Sequence, residues 1–124
     1  THSEYNHSSD EPVHFMQIWL LPNQTGVEPG YEQRCFPLED RRGKVVLLVS
    51  PDGRNGSISS HQDALVYGTL LEDGQRLNHL LASDRNADVN GQVLNAGDAM
   101  AIEDHGDIQL LGINGAELLI FDLP

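Results

Sequence analysis

Cysteine is almost absent from this chain: Cys35 is the only one in 124 residues. No internal disulfide can form, and a Cys-rich zinc site is excluded. One thiol suits a reducing, cytoplasmic setting, and Cys35 itself reads as a small, partly buried apolar residue. Basic residues are scarce too, 7 against 19 acidic ones, for a net charge of −12. A surface this acidic repels the phosphates of nucleic acid and the headgroups of an anionic bilayer. Its plain consequence is solubility. Long apolar runs are missing, and none approaches the ~20 residues that a membrane-spanning helix needs. No basic segment leads into an apolar stretch at the start, so no secretory signal is legible. The missing initiator Met points to a fragment or a trimmed chain. No G-x-S-x-G, P-loop or G-x-G-x-x-G is present, and no helical pattern follows "GDAMAI" or "DGRNG" to cradle a phosphate.

What is present is the punctuation of a β protein. The length fits one domain, or one domain with a remnant of another, and 39% hydrophobic residues are enough for a core. "VHFMQIWLL" (13–21) has the length and residue types of a strand. "KVVLLVS" (44–50) is a continuous apolar strand expected to be buried on both faces. "SPDGRNGS" (50–57) is a loop with two turn-favouring Gly dipeptides. "ALVYGTLL" (64–71) is a strand closed by "EDG" (72–74), and "RLNHLL" (76–81) follows. "VNGQVL" (89–94) carries an Asn-Gly hairpin signal, and "NAGD" (95–98) turns into "AMAI" (99–102). "DIQLLGI" (107–113), "NGA" (114–116) and "ELLIFDL" (117–123) complete the series. Eight or nine short strands and no 3.6-residue apolar period predict an all-β barrel or two-sheet jelly roll. "PLEDRRGK" (37–44) reads as a solvated connection. One place does not fit: "ASDRNADV" (82–89) is too polar for the upstream arm of the hairpin. Either that arm is very short or a strand's worth of residues, about 5–10, is missing.

His2 and Glu4 stand two residues apart, so on an extended segment they share a face and make half of a metal site. His61 and Asp63 have the same spacing and form the best alternative pair. His14 and Met16 share a face with no carboxylate or second imidazole nearby. His14 therefore reads as a satisfied or exposed histidine rather than a ligand, and His7, His79 and His105 complete the set. Trp19, Tyr31, Phe36, Tyr67 and Phe121 read as core or sheet-packing residues.

Seven segments, in order over nearly the whole chain, resemble the pirin family of bicupin proteins. They are "HSEYN" (2–6), "EPVHFMQIWLLP" (11–22), "GVEPGYEQRCF" (26–36), "SPDGRNGS" (50–57), "HQDALVYGTLLEDG" (61–74), "VNGQVLNAGDAMAI" (89–102) and "AELLIFDLP" (116–124). Bacterial members include quercetin 2,3-dioxygenase-like enzymes. The resemblance implies a cupin, or double-stranded β-helix, fold, with this chain forming the C-terminal barrel of two. Residues 1–22 would be a remnant of the N-terminal barrel or the inter-barrel segment, and residues 23–124 the C-terminal cupin domain.

The resemblance also implies that His2 and Glu4 are the last two ligands of a three-His, one-Glu centre for iron or another divalent transition metal. The other two ligands would come from an H-x-H strand upstream of Thr1, since no H-x-H occurs in this sequence. The implied substrate is a flavonol such as quercetin, with Glu4 as ligand and candidate base for its hydroxyl. Without the upstream ligands the chain itself should be metal-poor and inactive. In the second barrel, the general cupin pattern matches Gly97, Asp98 and Ile102. Asp107 lies nearest the expected ligand position, with His105 two residues away. That barrel therefore reads as metal-free, with Asp98 a turn-capping acceptor. Family members also carry an aromatic-rich strand where "DRNADVNG" (84–91) jumps across. The alternative function is a non-enzymatic protein-binding or regulatory module. Without its neighbouring barrel, "VHFMQIWLL" would expose an apolar edge, and the chain is expected to pair as a homodimer through it.

Overall fold

The structure, a computed structural model, describes residues 3–80, 91–102 and 107–124. Its centre is β3 (Leu65–Leu71), a run of β-branched, aromatic and aliphatic residues that fits a pleated surface. β6 (Ala116–Asp122) pairs with it antiparallel over seven residues, from Leu65 opposite Asp122 to Leu71 opposite Ala116. On its other side, β1 (Val46–Ser50) pairs antiparallel, with an irregularity between Leu47 and Val49. The short β2 (Ile58–Ser59) adds to β1 in parallel, giving the order β2-β1-β3-β6. A second sheet is the antiparallel pair of β4 (Arg76–Leu80) and β5 (Asp107–Leu111).

The core lies between the two sheets. Leu71 of β3, Ile108 and Leu110 of β5 and Ile120 of β6 form its buried cluster, with Tyr67, Leu77, Ile102 and Leu118 packed against it. β5 alternates exposed and buried along "DIQLL", as a strand with one wet face must. At one end the sheets are clamped: Gly74 N–H donates to the Gly112 carbonyl and Gly112 N–H to the Gln75 carbonyl, each at 2.9 Å. Asn114 N–H adds a bond to Asp73 Oδ1 at 2.7 Å. Gly112 is required at this clamp, because a Cβ there would sit 2.2 Å from the Glu72 carbonyl oxygen.

Several expectations need correction. "VHFMQIWLL" forms no strand: no ladder is assigned anywhere in residues 3–37. Strand propensity is present, but a strand also needs backbone donors and acceptors opposite it, and none of the described elements supplies them. Trp19 is therefore 78% exposed and Tyr31 87%, not core residues, and Cys35 is exposed. Phe36 and Phe121 are half-buried, as is most of β1, which was expected to be fully buried. Residues 91–94 and 99–102 carry no strand, while Val89 and Asn90 of the hairpin signal lie outside the described residues, as does the polar stretch 82–89. "PLEDRRGK" contains one helical turn, α1 (Leu38–Arg41). Six strands, not eight or nine, occur among the described residues. β2 went unforeseen because two residues leave no periodicity to read.

Candidate functional site

The N-terminal stretch folds back on itself through a polar turn. Ser8 Oγ accepts the backbone N–H groups of Asp10 and Glu11, Asn6 Oδ1 accepts Ser8 N–H, and Asn6 Nδ2 donates to the Glu11 carbonyl at 2.7 Å. Short polar side chains satisfying nearby backbone groups are what Asn and Ser do in turns. The reversal brings Phe15 and Gln17 beside Ser3 and Glu4, and these four line an open cleft of about 360 Å³. Of the proposed ligand pair, Glu4 is thus placed on a cleft wall, while His2 lies outside the described residues. Gln17 was not singled out in the sequence. Its signal was there, as the one amide in "VHFMQIWLL", whose other residues except His14 are apolar.

His61 and Asp63 line a second cleft of about 280 Å³ together with Asn23, Gln24 and Gln62. Its bonds are structural. Asn23 N–H donates to the His61 carbonyl at 2.9 Å, and Gln62 Nε2 donates to the Leu21 carbonyl, so the 60–63 turn straps residues 21–23 to the barrel. Among the described residues no three His, Cys, Asp or Glu side chains gather closely enough to hold a metal ion. His14 is exposed, and His105 lies outside the described residues. Asp107 opens β5 as an exposed residue. Asp98 does cap its turn: its Oδ2 accepts the Asn95 N–H at 2.8 Å and the Asn95 amide at 3.2 Å.

The segment 31–36 is held to the barrel rim by Glu32, whose Oε2 accepts the N–H and Oγ–H of Ser59 at 3.0 and 3.1 Å. Arg34 bonds Glu32 Oε1 and the Gly56 carbonyl. The Ser59 backbone bond, with Arg34 beside it, holds the Glu32 carboxyl below its ordinary range.

The barrel interior contains one polar group that sequence reading placed too blandly. His79 of β4 meets Tyr67 of β3 edge to face, ring centroids 4.5 Å apart, so the pair links the two sheets. Its Nε2 is buried without a hydrogen-bond partner. Burial pushes the His79 pKa down, against the opposing pull of the Asp122 charge, and pushes the Tyr67 hydroxyl up. Alternation could have found it, since Leu77 and His79 share a face and Leu77 packs on the core. A histidine kept neutral by folding binds fewer protons folded than unfolded. Stability contributed by neutral His79 is therefore complete above its ordinary pKa of 6.5 and is lost as pH falls from there towards the lower folded value. Urea midpoints should decline between pH 7 and pH 5.5, and more steeply in the parent than in His79→Phe. Parallel profiles would disprove this assignment.

Two packed β-sheets enclosing one apolar core fit a cupin-type barrel. The chain belongs to the pirin family: the model of the quercetinase C-terminal cupin domain matches residues 47–123. The chain is 40% identical over 132 aligned positions to a quercetin 2,3-dioxygenase of Escherichia coli strain K12, covering 99% of this chain and 56% of that protein. It thus spans about half the length of such relatives. An alignment longer than this 124-residue chain means that the relative carries residues this chain lacks. The crystal structure of YhhW from Escherichia coli superposes with a TM-score of 0.64 at 31% identity, covering 86% of this chain and 48% of that one. A second structure, bacterial pirin YhhW in complex with nickel(II), gives 0.53 at 28% identity over 83% of this chain and 47% of that one.

Proposed function

We propose that this chain is the C-terminal cupin half of a metal-dependent flavonol 2,3-dioxygenase, and that it does not catalyse alone. In this reading residues 1–22 belong structurally to the preceding barrel or to the seam between barrels, and residues 23–124 to the C-terminal domain. One observation carries it: every residue lining the Glu4 cleft lies ahead of residue 47, where the matched domain begins. The donor chemistry of His2 and Glu4 suits a divalent transition metal, iron included, but two donors are too few to hold one. The remaining ligands are assigned to an H-x-H strand preceding Thr1. A metal held by His2, Glu4 and those upstream ligands would supply Lewis-acid and redox chemistry towards the flavonol and O2. Glu4 would accept the proton of the flavonol hydroxyl. The test is loss of quercetin absorbance on addition of iron, nickel, copper or manganese. The longer polypeptide that includes the upstream strand is expected to turn over quercetin, and residues 1–124 alone are not. Absence of turnover with any metal would transfer the case to the second reading.

That second reading, a protein-binding module, is favoured by a specific observation. Val13, Phe15, Met16, Ile18, Trp19 and Leu21 are all exposed within nine residues, in a stretch with no carboxylate or basic group other than His14. Two strongly acidic chains meeting along it would set no carboxylates of this stretch against each other. The isolated chain is expected to form a homodimer through it. Sedimentation should give a concentration-dependent dimer that Trp19→Asp abolishes, with the fluorescence of Trp19, the sole tryptophan, shifting to the blue on association. A chain that stays monomeric at high concentration contradicts this.

A further inference from the structure

Phe15 and Gln17 of the Glu4 cleft belong to the stretch between the Asn6–Glu11 turn and Leu21, which has no strand ladder. Its far end is tied down from outside. Gln62 Nε2 donates to the Leu21 carbonyl, and the His61 carbonyl accepts the Asn23 N–H at 2.9 Å. These two anchor points flank Pro22, whose ring fixes its own φ and biases Leu21 towards extended backbone. The pair therefore grips a stiff piece of chain. The Gln62 amide is itself held at its other end, where Oε1 accepts the Asp63 N–H at 2.8 Å.

The turn that carries this grip is built into the central sheet. Ser60 N–H donates to the Ser50 carbonyl at 2.9 Å, and Ser50, the last residue of β1, is fully buried. Just after Asp63 the chain enters the buried Ala64 and Leu65, at the head of β3. From Leu21 back to Gln17 is a short span, at most about 14 Å of extended chain. One wall of the Glu4 cleft is thus anchored to a barrel that supplies none of the cleft's lining residues.

We propose that Gln62 is a positioning residue for the Glu4 site: through the Leu21 carbonyl it sets where Phe15 and Gln17 stand relative to Glu4. This rests on the reading of that cleft as the flavonol site. It gives the C-terminal barrel a task in a reaction whose ligands and base it does not contain. The N–H donor of the amide is the element that matters. A carboxylate of the same shape would set one acceptor against another and lose the bond.

The test uses the longer, metal-loaded polypeptide and compares the parent with Gln62→Glu and Gln62→Lys. Metal per chain, kcat and KM for quercetin, and amide hydrogen exchange by mass spectrometry are read on each. Gln62→Glu is expected to speed exchange over residues 18–23, the Asn23 N–H included, while β3 and β6 exchange as in the parent. It should lower kcat/KM about tenfold at unchanged metal content, since small misplacements of orienting groups act strongly on rate. Gln62→Lys keeps a donor for the Leu21 carbonyl and should recover part of both effects. Faster exchange spread through β3 and β6 would make Gln62 a structural residue of the barrel and overturn the proposal. So would unchanged exchange over 18–23, faster exchange there with unaltered kinetics, or loss of metal. A parent that holds its metal and leaves quercetin unconsumed overturns the reading of the cleft itself, and this proposal falls with it.

Discussion

Glu4→Gln in the longer polypeptide is expected to lower quercetin turnover by about 10²–10⁴-fold, the range of a lost general base. The substitution keeps shape and hydrogen-bonding capacity but removes the charge that both a divalent ion and an incoming proton require. Glu4 is exposed on its cleft wall, outside the apolar cluster of the barrel, so the protein should unfold as the parent does. Activity and stability are thereby separated. Absorbance-based initial rates and a urea melt on the same preparation make the comparison. Should the variant retain more than a tenth of parental turnover, Glu4 is neither ligand nor base. Should the metal-free variant be less stable than the metal-free parent, its role is structural.

The second large effect concerns the barrel. Leu71 is 1% exposed and touches the cluster formed from both sheets. Leu71→Ala should cost about 2–5 kcal/mol through lost apolar burial and the cavity left behind. Against a domain stability on the order of 5–15 kcal/mol, that removes a large share of the margin. Leu111, the neighbouring β5 residue on the opposite face, is 47% exposed, and Leu111→Ala should cost well under half as much. Chemical denaturation of the two variants compares them directly. Equal losses would mean that the core does not lie between the sheets.

The elements easiest to read in the sequence were those whose hydrogen-bonding partners lie within the chain. β3 and β6 are long runs of strand-forming residues, and each is the other's partner. The turn at 95–98 followed from Asn and Asp chemistry, which acts over three residues and needs no distant help. "VHFMQIWLL" failed because none of the described elements stands opposite it. Composition reports willingness to form a strand, but not whether backbone groups stand opposite it. The misplacements of Trp19, Tyr31 and Cys35 have the same root, since burial belongs to whatever covers a segment. His79 was legible from alternation along "RLNHL" but was passed over, because a lone histidine carries no motif. In the candidate site, His2 and Glu4 were visible from spacing, and their reading as ligands came only through resemblance. Phe15 and Gln17 emerged only when the Asn6–Glu11 turn laid them against Glu4, a long-range consequence of four short-range hydrogen bonds.

The direct trial of this account is the metal content of residues 1–124 alone, set against the longer polypeptide prepared with the same metal and then passed through a desalting column. About one ion per chain on the longer form, lost on His2→Ala, and none on residues 1–124 is the expected result, since two donors hold a divalent ion too weakly to survive the column. One ion retained per chain by residues 1–124 would mean that the centre is complete within this sequence and that no ligands come from an upstream strand.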